Sequence, residues 1–256
     1  MAWTGFGLVF TLAASAAMGV LHDPSSLPWI LAAAVAWWLF VCLFLIGGTA
    51  LLVDPSGRHV GRYGIPNGLT ALRAWSCLPL ILAASLRLPG ETALVVWCSA
   101  GFAAGMLDYV DGLIARRIGP VTELGRAMDP AMDTLYFSTA AVGNLELGIV
   151  PLWMTALMLV RFLGPFLLTP AVLLSGRRPE LVHTAWGRRN TALLGLTVFV
   201  CMWTRILHGP VNLVAAGLGL PLLVPTTLLH FRDLALRTAA APRVGGPGTA
   251  GGAASS

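Results

Sequence analysis

Four of the seven aspartates fall within one short stretch: Asp108, Asp111, Asp129 and Asp133. Asp108 and Asp111 are spaced i,i+3, and Asp129 and Asp133 i,i+4, so each pair shares one face if its segment is helical. Four carboxylates brought together repel one another and are costly to strip of water, so a cation must be present. Hard oxygen donors suit Mg²⁺, Mn²⁺ or Ca²⁺ rather than zinc or copper. Four of them can hold two such ions about 4 Å apart, the arrangement used on phosphate chemistry. Aspartate is also a common helix cap, but acids inside apolar segments are rare and usually functional.

The elements that must position these acids are apolar. Of 256 residues, 57% are hydrophobic and 11% charged, with a mean hydropathy of +0.80. A soluble domain carries about 25% charge, so this chain cannot cover a water-facing surface. A spanning helix needs about 20 apolar residues, which predicts eight spans near 3–21, 28–53, 67–86, 92–115, 126–148, 151–174, 190–207 and 210–230. The first lacks a basic leader and reads as a helix, not a cleaved signal. The expected fold is all-α: a polytopic membrane helix bundle with two N-terminal helices (residues 1–56), a six-helix core (57–237) and a disordered Gly/Ala/Pro-rich tail (238–256). The four aspartates then sit at the adjoining ends of the fourth and fifth spans.

All 16 basic residues are arginine. With eight alternating spans, most of them fall on one side, which the positive-inside rule makes the cytoplasm. Both termini and the aspartates should lie on that side of the plasma membrane. No soluble basic domain exists to bind nucleic acid. Cys42, Cys77, Cys98 and Cys201 lie in apolar stretches without CxxC spacing and read as plain thiols.

The residues among the aspartates form the pattern D-x2-D-G-x2-A-R-x8-G-x3-D-x3-D, filled by Asp108, Asp111, Gly112, Ala115, Arg116, Gly125, Asp129 and Asp133. This resembles the signature of the CDP-alcohol phosphatidyltransferase family. Gly112 and Ala115 leave room for a nucleotide against the backbone, Arg116 offers a fork for phosphate oxygens, and Gly125 permits a tight helix entry. The segment holding Asn67, Thr70 and Arg73 resembles the P-N-x-L-T-x-x-R opening of the family core. Gly187, Arg188 and Thr191 resemble a G-K-x-x-T element, with Arg for Lys. Arg161 stands where relatives often carry Arg followed by an acid, but Phe162 follows here.

The resemblance covers about residues 60–230. It implies six core helices around a polar cavity and attack of an acceptor hydroxyl on the β-phosphorus of CDP-diacylglycerol, with CMP leaving. It implies that Asp108, Asp111 and Asp129 chiefly hold two Mg²⁺ or Mn²⁺ ions, that Asp133 also takes the hydroxyl proton, and that Asn67, Thr70, Arg73, Asp108, Gly112, Ala115, Arg116 and Gly125 bind the CDP-lipid. An arginine inside a membrane span should face a cavity or partner. Arg161 and Arg188, with Thr191, could therefore grip an acceptor that carries phosphate, with glycerol 3-phosphate or inositol phosphate favoured. A zwitterionic or cardiolipin-type acceptor stays open, as does a homodimer. From another class, a cation transporter would also use aspartates. Arg116 and Arg126 beside the acids, and the small residues, argue against it.

Overall fold

The computed structural model describes residues 2–49, 52–53, 58–60, 63–86, 88, 91–101, 103, 122–175 and 184–240. Its elements are eight helices: α1 (Ala2–His22), α2 (Leu27–Gly47), α3 (Ile65–Ser85), α4 (Thr92–Gly101), α5 (Glu123–Glu146), α6 (Leu152–Leu174), α7 (Ala185–Ile206) and α8 (Val211–Ala240). A 3-10 turn at Pro24–Ser26 joins the first two. Beyond helices, the described residues contain one isolated antiparallel bridge, Val53 to His59. The fold is all-α, as the composition implies.

Among the described residues, five helices are long and apolar enough to cross a membrane: α1, α2 with its preceding turn, α3, α6 and α8. The expected eight spans are thus not matched one for one. Of the fourth, the described part is the short apolar run Thr92–Gly101, and the rest lies outside the described residues. Helices α5 and α7 are long, at 24 and 22 residues. They carry Asp129 and Asp133, and Arg188, Arg189 and Arg205, so they are too polar to face lipid all round. The prolines inside α3, α5, α6 and α8 are compatible with membrane helices, where neighbours satisfy the freed carbonyls.

Three boundaries differ clearly from expectation, the start of α7 at Ala185 instead of 190 among them. Helix α2 ends at Gly47 instead of 53, on the run Gly47-Gly48-Thr49. Helix α8 runs on to Ala240 instead of 230, because Arg232, Asp233 and Arg237 extend it as a polar end rather than stopping it.

The chain divides into two compact units, Met1–Leu147 and Gly148–Ser256. In the first, Val41, Cys42 and Leu45 of α2, Ala71, Ala74 and Trp75 of α3, and Leu124, Met128 and Met132 of α5 form one apolar cluster. Helices α1 and α3 are locked by a reciprocal pair of indoles on glycines. Trp75 covers Gly7, and Trp3 covers Gly68, so a Cβ at either glycine would enter a ring. Trp37 Nε1 donates to Ala74 O at 2.9 Å, and Trp38 Nε1 to Thr4 O at 2.8 Å, which ties α2 to both. Trp97 of α4 lies over Gly143 and donates to Asn144 Oδ1 at 2.9 Å. The small residues allow these close approaches, the usual basis of helix packing in lipid.

In the second unit, α8 packs against α6 and α7. Gly164 lies under Phe231, and Gly219 under Trp153. The buried Asn190 of α7 donates through Nδ2 to Thr226 Oγ1 at 2.7 Å and Thr227 Oγ1 at 3.0 Å on α8.

Candidate active site

The polar residues at the start of α3 recur every three positions: Asn67, Thr70 and Arg73. All three are buried. They meet α5 rung by rung. Asn67 Nδ2 donates to Thr122 Oγ1 at 3.2 Å. Thr70 Oγ1 donates to Asp129 Oδ1 at 3.2 Å. Arg73 Nη1 pairs with Asp133 Oδ1 at 2.9 Å. The partners rise in the same order along both helices, so the two run parallel through this seam. Beside the seam, the Tyr63 hydroxyl donates to Met128 Sδ at 3.3 Å, and burial pushes this phenol well above its ordinary pKa.

Helix α5 opens on Thr122, whose Oγ1 accepts from the Gly125 N–H at 3.1 Å. This is a threonine N-cap reaching N3. Gly125 has a reason beyond entry geometry. A Cβ there would stand 2.9 Å from Asn67 Oδ1, so the glycine admits the asparagine of α3.

The second unit holds a similar device. Thr184 caps α7 by accepting from the Gly187 N–H at 2.8 Å. A Cβ on Gly187 would stand 2.9 Å from His230 Nδ1 and 3.0 Å from Arg161 Nη2. Arg161 is 7% exposed and donates from Nη2 to Gly187 O at 3.4 Å. Thr191 Oγ1 donates to the same carbonyl at 3.0 Å. His230 Nδ1 lies 2.7 Å from Thr184 Oγ1. Arg161 also stacks its guanidinium 5.3 Å from the Phe162 ring, so the residue in the expected acid's place meets the same side chain as a ring.

The expected site residues fall as follows. Asp108, Asp111, Gly112, Ala115 and Arg116 lie outside the described residues. Asn67, Thr70 and Arg73 come together with Gly125, Asp129 and Asp133 in the first unit. Arg161 and Thr191 come together at Gly187 in the second, while Arg188 is exposed on the first turn of α7. Thr122, Thr184, Asn190 and His230 are not among the expected residues. The two threonines carry a signal, Thr three residues before a motif glycine at a helix start.

Among the described residues no group of three or more metal-ligating side chains comes together. Asp129 and Asp133 lie one turn apart on the side of α5 that meets Thr70 and Arg73, and Asp129 is exposed. Hydroxyl and carboxylate oxygens form a hard donor set that fits a divalent ion such as Mg²⁺ or Mn²⁺.

Comparison with known proteins gives a consistent picture. Residues 63–228 match the family profile described as CDP-alcohol phosphatidyltransferase. A Mycobacterium tuberculosis protein described as a probable phosphatidylglycerophosphate synthase is 30% identical over 164 residues, covering 62% of this chain and 76% of that one. A Streptomyces coelicolor cardiolipin synthase (CMP-forming) is 45% identical over 58 residues, 23% of this chain and 27% of the relative. A Bacillus subtilis CDP-diacylglycerol–glycerol-3-phosphate 3-phosphatidyltransferase is 29% identical over 110 residues, 39% and 56% of the two chains. No solved structure matches.

Proposed function

Because the chain belongs to the CDP-alcohol phosphatidyltransferase family, we propose that it transfers the phosphatidyl group of CDP-diacylglycerol to glycerol 3-phosphate, releasing CMP. The chain is a multi-pass membrane transferase of phospholipid biosynthesis. The observation that carries the mechanism is the α3–α5 seam, in which Thr70 and Arg73 each hold one oxygen of Asp129 and Asp133.

The acceptor hydroxyl attacks the β-phosphorus as the bond from that phosphorus to the CMP oxygen breaks. The hydroxyl proton passes to Asp133, which acts as general base. Arg73 fixes one oxygen of that carboxylate and so sets the direction of the other. Asn67 and Thr70 on α3, with Gly112, Ala115, Arg116 and Gly125, receive the CDP end, where Arg116 pairs with phosphate oxygens. The family is metal-dependent. Asp108, Asp111, Asp129 and Asp133 would hold Mg²⁺ or Mn²⁺, which when bound neutralises the diphosphate and the leaving CMP. Arg161, Arg188 and Thr191 receive the acceptor, and the buried arginine supports an acceptor that itself carries phosphate. The relative matched over most of its length is described as a phosphatidylglycerophosphate synthase, which favours glycerol 3-phosphate over inositol phosphate.

The Streptomyces relative supports a second reading, with phosphatidylglycerol as the acceptor, over a much shorter stretch. The assignments of residues 1–56 as an added two-helix segment, 57–237 as core and 238–256 as tail go with this proposal, as do cytoplasmic termini and a cytoplasm-facing site in the plasma membrane. CMP release from CDP-diacylglycerol, measured with glycerol 3-phosphate, inositol phosphate and phosphatidylglycerol in turn, tests the acceptor. Release with phosphatidylglycerol alone would replace the first reading by the second. No release with any of them would remove both.

A further inference from the structure

Three buried side chains from three helices or their caps converge on one glycine, Gly187. Arg161 comes from α6, Thr184 and Gly187 from the start of α7, and His230 from α8. Thr184 is fully buried, and His230 is 4% exposed. The contacts form a chain: His230 Nδ1 to Thr184 Oγ1 at 2.7 Å, Thr184 Oγ1 to the Gly187 N–H at 2.8 Å, and Gly187 O to Arg161 Nη2 at 3.4 Å. Among the described residues, Arg161 Nε has no hydrogen-bond partner. Among the described residues no acid pairs with this guanidinium, which makes one long bond to a carbonyl, and a buried charge so placed is costly unless an anion completes it.

We propose that His230 is a positioning residue for the acceptor. It acts through Thr184 to set the first turn of α7, and so the carbonyl that aims Arg161 at the acceptor phosphate. Thr184 Oγ1 accepts from the Gly187 N–H, and the proposal assigns its hydroxyl proton to His230 Nδ1, the tautomer with the ring proton on Nε2. The glycine is required as well: a methyl at 187 would strike both His230 and Arg161. This rests on the reading that Arg161 meets acceptor phosphate.

The test uses the full chain in detergent or nanodiscs, with KM measured separately for glycerol 3-phosphate and CDP-diacylglycerol. His230→Phe keeps a ring and removes the acceptor atom. It should raise the glycerol 3-phosphate KM by about tenfold or more, and leave that of CDP-diacylglycerol within about twofold. His230→Asn keeps an acceptor oxygen near the place of Nδ1 and should restore most of the loss. Thr184→Val should repeat the Phe effect, and Thr184→Ser should be near wild type. If His230→Phe does not fold, the two threonine variants carry the same comparison. An Asn variant as impaired as Phe, or a parallel rise in both KM values, would overturn the proposal and leave His230 as packing. An Arg161→Ala variant with unchanged glycerol 3-phosphate KM would instead remove the acceptor reading itself, whatever His230 does.

Discussion

Arg73 Nη1 lies 2.9 Å from Asp133 Oδ1, and this pair joins two parallel helices at the carboxylate assigned to proton removal. The arginine is 8% exposed and the aspartate 24%, so the carboxylate is the more accessible member of the pair. That difference suits a base that is positioned by its partner and reached by substrate.

Removing Arg73 should therefore do two separable things. Arg73→Ala leaves a partly buried carboxylate without its partner and should cost about 1–3 kcal/mol of stability. Adding Asp133→Asn removes the stranded charge, so the double variant should regain stability in a thermal melt while staying inactive. A double variant no more stable than Arg73→Ala would mean that the pair contributes nothing beyond packing.

Asp133→Asn alone keeps shape but cannot accept a proton at neutral pH. Turnover should fall by at least about a hundredfold, the low end of a general base's contribution. CDP-diacylglycerol should still bind, because Asn67, Thr70 and Gly125 keep their contacts. An Asn variant turning over near the wild-type rate would leave the proton without an assigned acceptor. Loss of binding together with turnover would make the residue chiefly a ligand.

The two capped glycines give a paired contrast. Gly125→Ala places a methyl 2.9 Å from Asn67 Oδ1, and Gly187→Ala places one 2.9 Å from His230 Nδ1. Each should cost about 1–3 kcal/mol in stability through overpacking. Their kinetic effects should diverge, with Gly125→Ala raising the KM for CDP-diacylglycerol and Gly187→Ala that for glycerol 3-phosphate. The assignment of the two glycines to different substrates fails if both variants move the same KM.

Metal removal is the simplest measurement. Activity should vanish under exhaustive chelation and return with Mg²⁺ or Mn²⁺ rather than with zinc, as hard carboxylate donors require. Undiminished CMP release in chelator would break the assignment of the aspartates.

Much of this arrangement is legible in the chain. Asn67, Thr70 and Arg73 recur at helical spacing, and so do Asp129 and Asp133, so the amino-acid order alone shows two polar faces. Their meeting is not visible there, because which helices pair is a long-range outcome of packing that local periodicity does not encode. Hydropathy puts the start of α7 at 190, whereas the helix begins at Ala185, since arginines at 188 and 189 lower the local value. The Thr184 cap, three residues before Gly187, marks the true start. His230 leaves no trace, because no motif surrounds it and its hydrogen-bond partner Thr184 is 46 positions away.

The indole–glycine lock between α1 and α3 has a consequence in time. Helices α1 and α2 are made before α3, so Gly7 and Trp3 precede the arrival of Trp75 and Gly68. One flank of α3 can then be claimed at once, while Asn67, Thr70 and Arg73 on another must wait for α5 to be made. Crosslinking position 3 to position 68 in ribosome-bound chains that end beyond α3 but before α5 would reveal this early docking. Such a crosslink would make the two helices ahead of the matched region a resident chaperone for the helix that carries Arg73.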